Sequence, residues 1–292
     1  MFSGFKYIDC GSPCSIESLI EPSDSYQLQD KYSLLLDLVH VLKKSPTASF
    51  LLTEAASYDF DVLCDSHMNL DTAGFHNAET TIILPEFDIQ SLKYKKNYGR
   101  ALITIIAGLR RALKSNQGHY HRFDLEPLEY LRLVRLVEAD IDSVVTQACW
   151  ELRTADEPAP WRQLLSGKKG DLAVIYTNAM EKTPMGQFNG QLMRYVFRQW
   201  FADIERVNAA DHTALEFLDM GIAHPEFFEM NADTKLVKND MRKLQKNLPF
   251  AKYLDGINVF GKWFDGLKDP FNQAHLHHIL QDLSYIADNH TK

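Results

Sequence analysis

No stretch of this 292-residue chain offers the roughly 18 consecutive apolar residues of a membrane-spanning helix, so no span is expected. Residues 1–11 lack a basic start followed by an uninterrupted apolar run, so a secretory leader is not expected, and the cytoplasm is the expected location. Cysteine is scarce: Cys10, Cys14, Cys64 and Cys149. A chain of this length can bury a core without disulfides, so buried free thiols are expected. Cys10 and Cys14 flank Gly11 and Pro13, but no second pair of ligands follows to complete a zinc knuckle. A basic surplus is missing as well. The 31 Lys and Arg against 39 Asp and Glu leave a net charge of −8, which excludes the basic balance typical of nucleic-acid binding. Short clusters at Lys93, Lys95 and Lys96 and at Lys168 and Lys169 read as solvated charge, with no exposed aromatic expected among them.

Catalytic signatures are equally absent. There is no Gly-x-Ser-x-Gly elbow. Gly167-Lys168-Lys169-Gly170 lacks the spacing of a phosphate loop, and Gly256 and Gly261 form no nucleotide fingerprint. Cys149 lies within a helical pattern, which suits core packing better than nucleophilic attack.

What is present is an ordinary globular composition, 45% apolar and 24% charged. Residues 1 to about 25 look irregular, broken by Gly4, Gly11, Pro13 and Pro22. The stripe Leu34, Leu35, Leu38, Val41, Leu42 predicts a helix over 30–44, and Pro46 opens another through about Ser57. Phe60–Cys64 alternates and Thr80–Leu84 is β-branched, so both read as strands of a small sheet, joined by a polar link containing Gly74. A strongly apolar helix is expected over 98–114 and a long one from Pro127 to about Arg153. Asp156–Pro160 is the best boundary. Beyond it, helices are expected near 171–181, 190–206, 213–220, 233–246 and 272–288. The predicted class is therefore α+β and predominantly helical. An irregular segment at 1–24 precedes a core at 25–155 made of a small sheet and two core helices, and a helical region at 156–292 packs on it.

Five stretches carry a family resemblance: LLTEAASYDFDVLCD, TTIILP, ALITIIAGLRRAL, RLVEADIDSVVTQACWELR and RYVFRQWFADIERVNAADHTALEFLD. Across roughly residues 50–220 the chain resembles a bacterial family of zinc metallopeptidases of unassigned biological role, which implies a zincin-like core. Zincin chemistry uses two His at i and i+4 on one helix, a Glu beside the first as general base, and a third ligand from a later helix. The resemblance places that His-Glu-x-x-His motif at Ala107, Gly108, Leu109, Arg110 and Arg111. Ala and Gly offer no ligand or base, and Arg has no lone pair to donate. The third-ligand segment, Glu138-Ala139-Asp140, keeps its carboxylates. The resemblance thus implies an inactive relative with a binding or regulatory role, no catalytic residue, no metal, and a protein or peptide as partner; nucleic acid and membrane are not expected.

Arg111 suggests a specific vestige: its guanidinium stands in for the metal and pairs with Glu138 or Asp142, which share a helical face at i and i+4. A solvent-facing Arg111, with Glu138 paired to Arg135, is the plainer expectation. Two other functions stand beside this one. One is an active metal-dependent hydrolase with a zinc site rebuilt from His119, His121, Glu138 and Asp140. The other is a helical protein-interaction module. His275, His277 and His278 could hold only an adventitious metal, and Tyr195, Phe197, Trp200 and Phe201 are expected in the core or on a docking face.

Overall fold

The computed structural model describes residues 13–21, 30–120, 122–223 and 266–290, the side chains of 30–31 and 287–290 excepted; between 224 and 265 it describes 235, 236, 240, 243, 244, 248, 253, 254, 257, 258 and 261. The protein is mostly helical, with one small sheet. Among the described residues no helix is long and apolar enough to cross a membrane.

The first elements among the described residues are β1 (Cys14–Ser15) and α1 (Ile16–Ile20). Over 14–20 this corrects the irregular reading of residues 1 to about 25. Ser15 caps α1 by accepting the Ser18 amide, and Ile16 and Leu19 are buried, so a short apolar turn is enough to dock here. Helices α2 (Asp30–Leu42) and α3 (Pro46–Ser57) follow. Ser45 caps α3, and Glu151 from a later helix accepts the Thr47 amide at 2.8 Å, placing a carboxylate at a helix start where it is favoured.

The sheet has four strands, with β2 (Asp61–Asp65), β3 (Gly74–His76) and β4 (Thr81–Pro85) joining β1 in the order β1-β2-β4-β3. β2 and β4 run parallel, from Asp61 opposite Thr81 to Asp65 opposite Pro85. β3 is antiparallel at one edge, Gly74 opposite Ile83. The expected polar link contains β3: too short and too polar to show alternation, it is recruited by the unpaired edge of β4. Val62, Cys64, Ile82 and Leu84 are buried, as their apolar character requires.

α4 (Ile89–Leu92) leads to α5 (Lys95–Asn116), which packs on β3 and β4. Next comes α6 (Pro127–Thr154), about 42 Å long at 1.5 Å per residue. It is buried on nearly every side and packs against α3, α5, α7 (Ala159–Ser166), α8 (Gly170–Lys182), α9 (Gln191–Trp200) and α10 (Ile204–Ile222). The chain therefore resumes helical structure directly after the break at 156–158, in α7. The single helix expected over 190–206 is two: Asp203 accepts the Glu205 and Arg206 amides and starts α10, which also absorbs the helix expected at 213–220. The helix expected at 233–246 lies largely outside the described residues. α11 (Pro270–His290) packs on α10.

Cys14, Cys64 and Cys149 are free and buried; Cys10 lies outside the described residues. Phe197 and Trp200 are core residues, whereas Tyr195 keeps substantial exposure. Arg135 pairs with Asp211 and donates to the Gly266 carbonyl at 3.0 Å, tying α6 to α10. The pairing of Glu138 with Arg135 is thereby corrected: Arg135 is turned away into a buried bridge.

Candidate functional site

The site lies where α5 crosses α6. Gly108 brings α5 close to the sheet: a Cβ there would lie 2.9 Å from the Ala73 Cβ and 3.3 Å from Leu84 Cδ2. Real Cβ atoms do not approach that closely, so position 108 faces packed methyl groups and not an open cleft. Ala107, one residue earlier, is half-buried.

Successive helical residues turn about 100°, so Arg110 and Arg111 leave α5 in different directions. Arg111 Nη2 donates to both oxygens of Glu138, at 2.9 and 3.2 Å. The Tyr120 hydroxyl donates to the same carboxylate at 3.1 Å. The two charged side chains keep 30% and 27% of their exposure, so this is a half-open ion pair. Burial pushes the Glu138 carboxyl up, but the Arg111 guanidinium, Lys169 and these hydrogen bonds outweigh it and hold it below its ordinary value. Burial and the neighbouring Glu138 charge raise the Tyr120 phenol well above the ordinary range, keeping it a neutral donor.

Asp142 shares the helical face of Glu138, yet it has a different cation. Its carboxylate accepts the Trp200 indole N–H at 2.9 Å and pairs with Lys169. Each carboxylate has its own partner, and Arg111 takes Glu138.

Asp140 sits about 200° round the helix from Glu138 and enters the core. Arg110 donates to it through Nε at 2.7 Å and Nη2 at 3.0 Å, and both side chains are fully buried. The Tyr253 hydroxyl also bonds Asp140. Arg110 reaches the Leu244 carbonyl at 3.1 Å, and Lys114 donates to the same oxygen and to Gln117. Burial strongly lowers the Lys114 ammonium, with nearby Arg110 adding to the effect.

His119 belongs to this buried side. Burial and the Lys114 charge push its pKa down to about 4. Its charged neighbours are Lys114, Asp140 and Arg110, whereas those of Glu138 are Arg111 and Lys169. His121 lies outside the described residues. His275 is within 3.8 Å of Asp219, and the His277 and His278 rings lie 6.3 Å apart on an exposed turn of α11.

Spacing on α6 pointed to Glu138 and Asp142, but Tyr120, Lys169 and Trp200 were missed as their neighbours, and Arg110 was missed as the partner of Asp140. One signal was available: Arg110 falls in the apolar stripe of Leu102, Ile106 and Leu113, where a charged residue requires a buried counter-charge.

A zincin centre needs two imidazoles and a carboxylate converging on one point. Here the helix offers Ala107 and Arg111, and Glu138 is already bonded to a cation. Among the described residues no three His, Cys, Asp or Glu side chains gather closely enough to hold a metal ion. This donor set does not fit zinc. No curated protein and no solved structure matches the chain. Residues 16–219 match the sequence profile of a family described as "Putative metallopeptidase family", and the chain belongs to that family.

Proposed function

We propose that this chain is a non-catalytic member of its family, in which a zincin-like centre has been replaced by the Arg111–Glu138 ion pair and the scaffold serves binding or regulation. The observation that carries the reading is the guanidinium of Arg111 bonded to both oxygens of the carboxylate that, by resemblance, would be the third metal ligand. A cation already held there opposes a second one by direct repulsion. The base position adds independent support. A Glu at 108 would have to displace Ala73 and Leu84 before it could act on a bound water. General-base help of this kind is worth roughly 10²–10⁴-fold, so its loss removes a large part of any hydrolysis. The partner proposed for the half-open face is a protein or peptide.

The test is the transition-metal content of tag-free protein purified without chelators, with Glu138→Ala alongside. The expected result is a trace, substoichiometric metal content in both proteins. Near-stoichiometric metal in the native protein that disappears in the variant would sink the proposal and make a rebuilt hydrolase centre the leading function.

A further inference from the structure

A cleft lies at the other end of α5. Gly99 lets α5 touch α7: a Cβ at that position would be 2.6 Å from the Ala159 carbonyl oxygen. Beside this contact is a cleft of about 640 Å³, lined by Lys95, Lys96 and Tyr98 from α5 and by Arg162, Gln163 and Ser166 from α7. That volume lies within the range of small-ligand sites, roughly 300–1,000 Å³. It is also well separated from Arg111, 16 residues and about 24 Å along the helix axis.

The charge of this cleft runs against that of the whole chain. Lys95, Lys96 and Arg162 are exposed, and among the described residues none of the three forms an ion pair. The acidic side chain on the cleft, Glu157, is taken by Lys44 at 2.6 Å. Three cations without a close ion pair among the described residues therefore line one cavity in a chain of net charge −8. Two of them come from α5 and one from α7, where Ala159, Arg162, Gln163 and Ser166 recur at helical spacing on one face. Tyr94, 70% exposed, stands between Lys93 and Lys95, so the aromatic expected to be missing from this basic cluster is present. Cations on both walls suit a ligand carrying several adjacent negative charges, and the Gln163 amide and Ser166 hydroxyl can donate to its oxygens.

We propose that this cleft binds a small oligophosphate anion, up to the size of a nucleoside triphosphate. The test is calorimetric titration of the full chain at low ionic strength with sodium tripolyphosphate and, separately, with ATP. The same titrations are run on Lys95→Glu/Arg162→Glu and on Lys268→Glu, a charge reversal outside the cleft. Saturable binding near one equivalent per chain is expected, weakened tenfold or more in the double variant and unchanged in Lys268→Glu. Exposed charge pairs are each worth up to about a factor of five, and reversal replaces attraction with repulsion. Tighter binding of ATP than of tripolyphosphate would assign the ligand an aromatic body stacked on a tyrosine; equal binding would restrict recognition to the phosphates. No saturable binding, or equal weakening in both variants, would overturn the proposal.

Discussion

Replacing Arg110 with methionine removes one partner of a fully buried ion pair and leaves Asp140 inside the protein without its guanidinium. The structure allows the cost to be worked out. Two hydrogen bonds, at 2.7 and 3.0 Å, disappear, as does the 3.1 Å bond to the Leu244 carbonyl. Asp140 keeps the Tyr253 hydroxyl, but a hydroxyl neutralises no charge. Breaking such a pair costs about 3–5 kcal/mol, a large share of the ~5–15 kcal/mol that holds a domain folded. Replacing both partners, Arg110→Met with Asp140→Leu, removes the charge as well and should cost far less than Arg110→Met alone. Urea unfolding followed by circular dichroism at pH 7 reads these differences as midpoint shifts at constant m. Acid gives a second reading. In the native protein burial raises the Asp140 carboxyl, but Arg110, Lys114 and the hydrogen bonds outweigh it and hold it below its ordinary value. A depressed carboxyl contributes stability above its unfolded pKa and loses it as pH falls through the folded value. Acidification should therefore destabilise the native protein more than the double variant, and it should narrow the gap between the native protein and Arg110→Met. A loss below about 1 kcal/mol in Arg110→Met, or a double variant as unstable as the sum of its parts, would refute the reasoning.

Two further outcomes follow from the same helices. His119 is held neutral with a pKa of about 4 against an ordinary 6.5. Between those values the unfolded chain binds the proton and the folded one does not, so stability falls as pH drops through this window, by about 2 kcal/mol on going down to pH 5. His119→Gln should flatten that part of the pH profile of urea unfolding, and parallel profiles would exclude the assignment. Gly108→Ala should gain up to about 1 kcal/mol of helix propensity and lose about 1–3 kcal/mol to overpacking against Ala73, for a net loss in melting temperature. Adding Ala73→Gly should restore it, and a Gly108→Ala protein as stable as the native one would show that the methyl contact is not tight.

The long elements could be read from the sequence because their apolar periodicity is extended. Leu102 to Leu113 and Leu131 to Leu152 mark the core stripes of α5 and α6, and both helices form. Short elements could not be read in this way. β1 has two residues and β3 three, too few to show a period of two; they exist because β2 and β4 would otherwise leave unpaired edges. The break between α9 and α10 had a local signal, an Asp203 N-cap, hidden inside a continuous apolar pattern. At the candidate site, helical spacing identifies which α6 carboxylates share a face but not which cation reaches each one. Lys169 and Trp200 meet Asp142 only after α7 to α9 have packed round α6. The cleft at Lys95 and Arg162 was illegible for the same reason, since its two walls are 67 positions apart in the chain.

Adjacent arginines on α5 thus serve different sides of one helix crossing, and their burial separates the consequences. Arg110 and Asp140 have no solvent to fall back on, so their pair is coupled to the fold. Arg111 and Glu138 keep about a third of their exposure, and water can compensate either one when the other is lost. A half-open pair is worth on the order of 1 kcal/mol, several times less than a broken buried one. The crossing of α5 and α6 is therefore held by Arg110 and Asp140, together with the apolar stripe around them. The Arg111 position can change its chemistry without unfolding the chain. That difference makes substitutions at Glu138 a clean report on the site and substitutions at Asp140 a report on the fold, even though the two residues are neighbours on one helix.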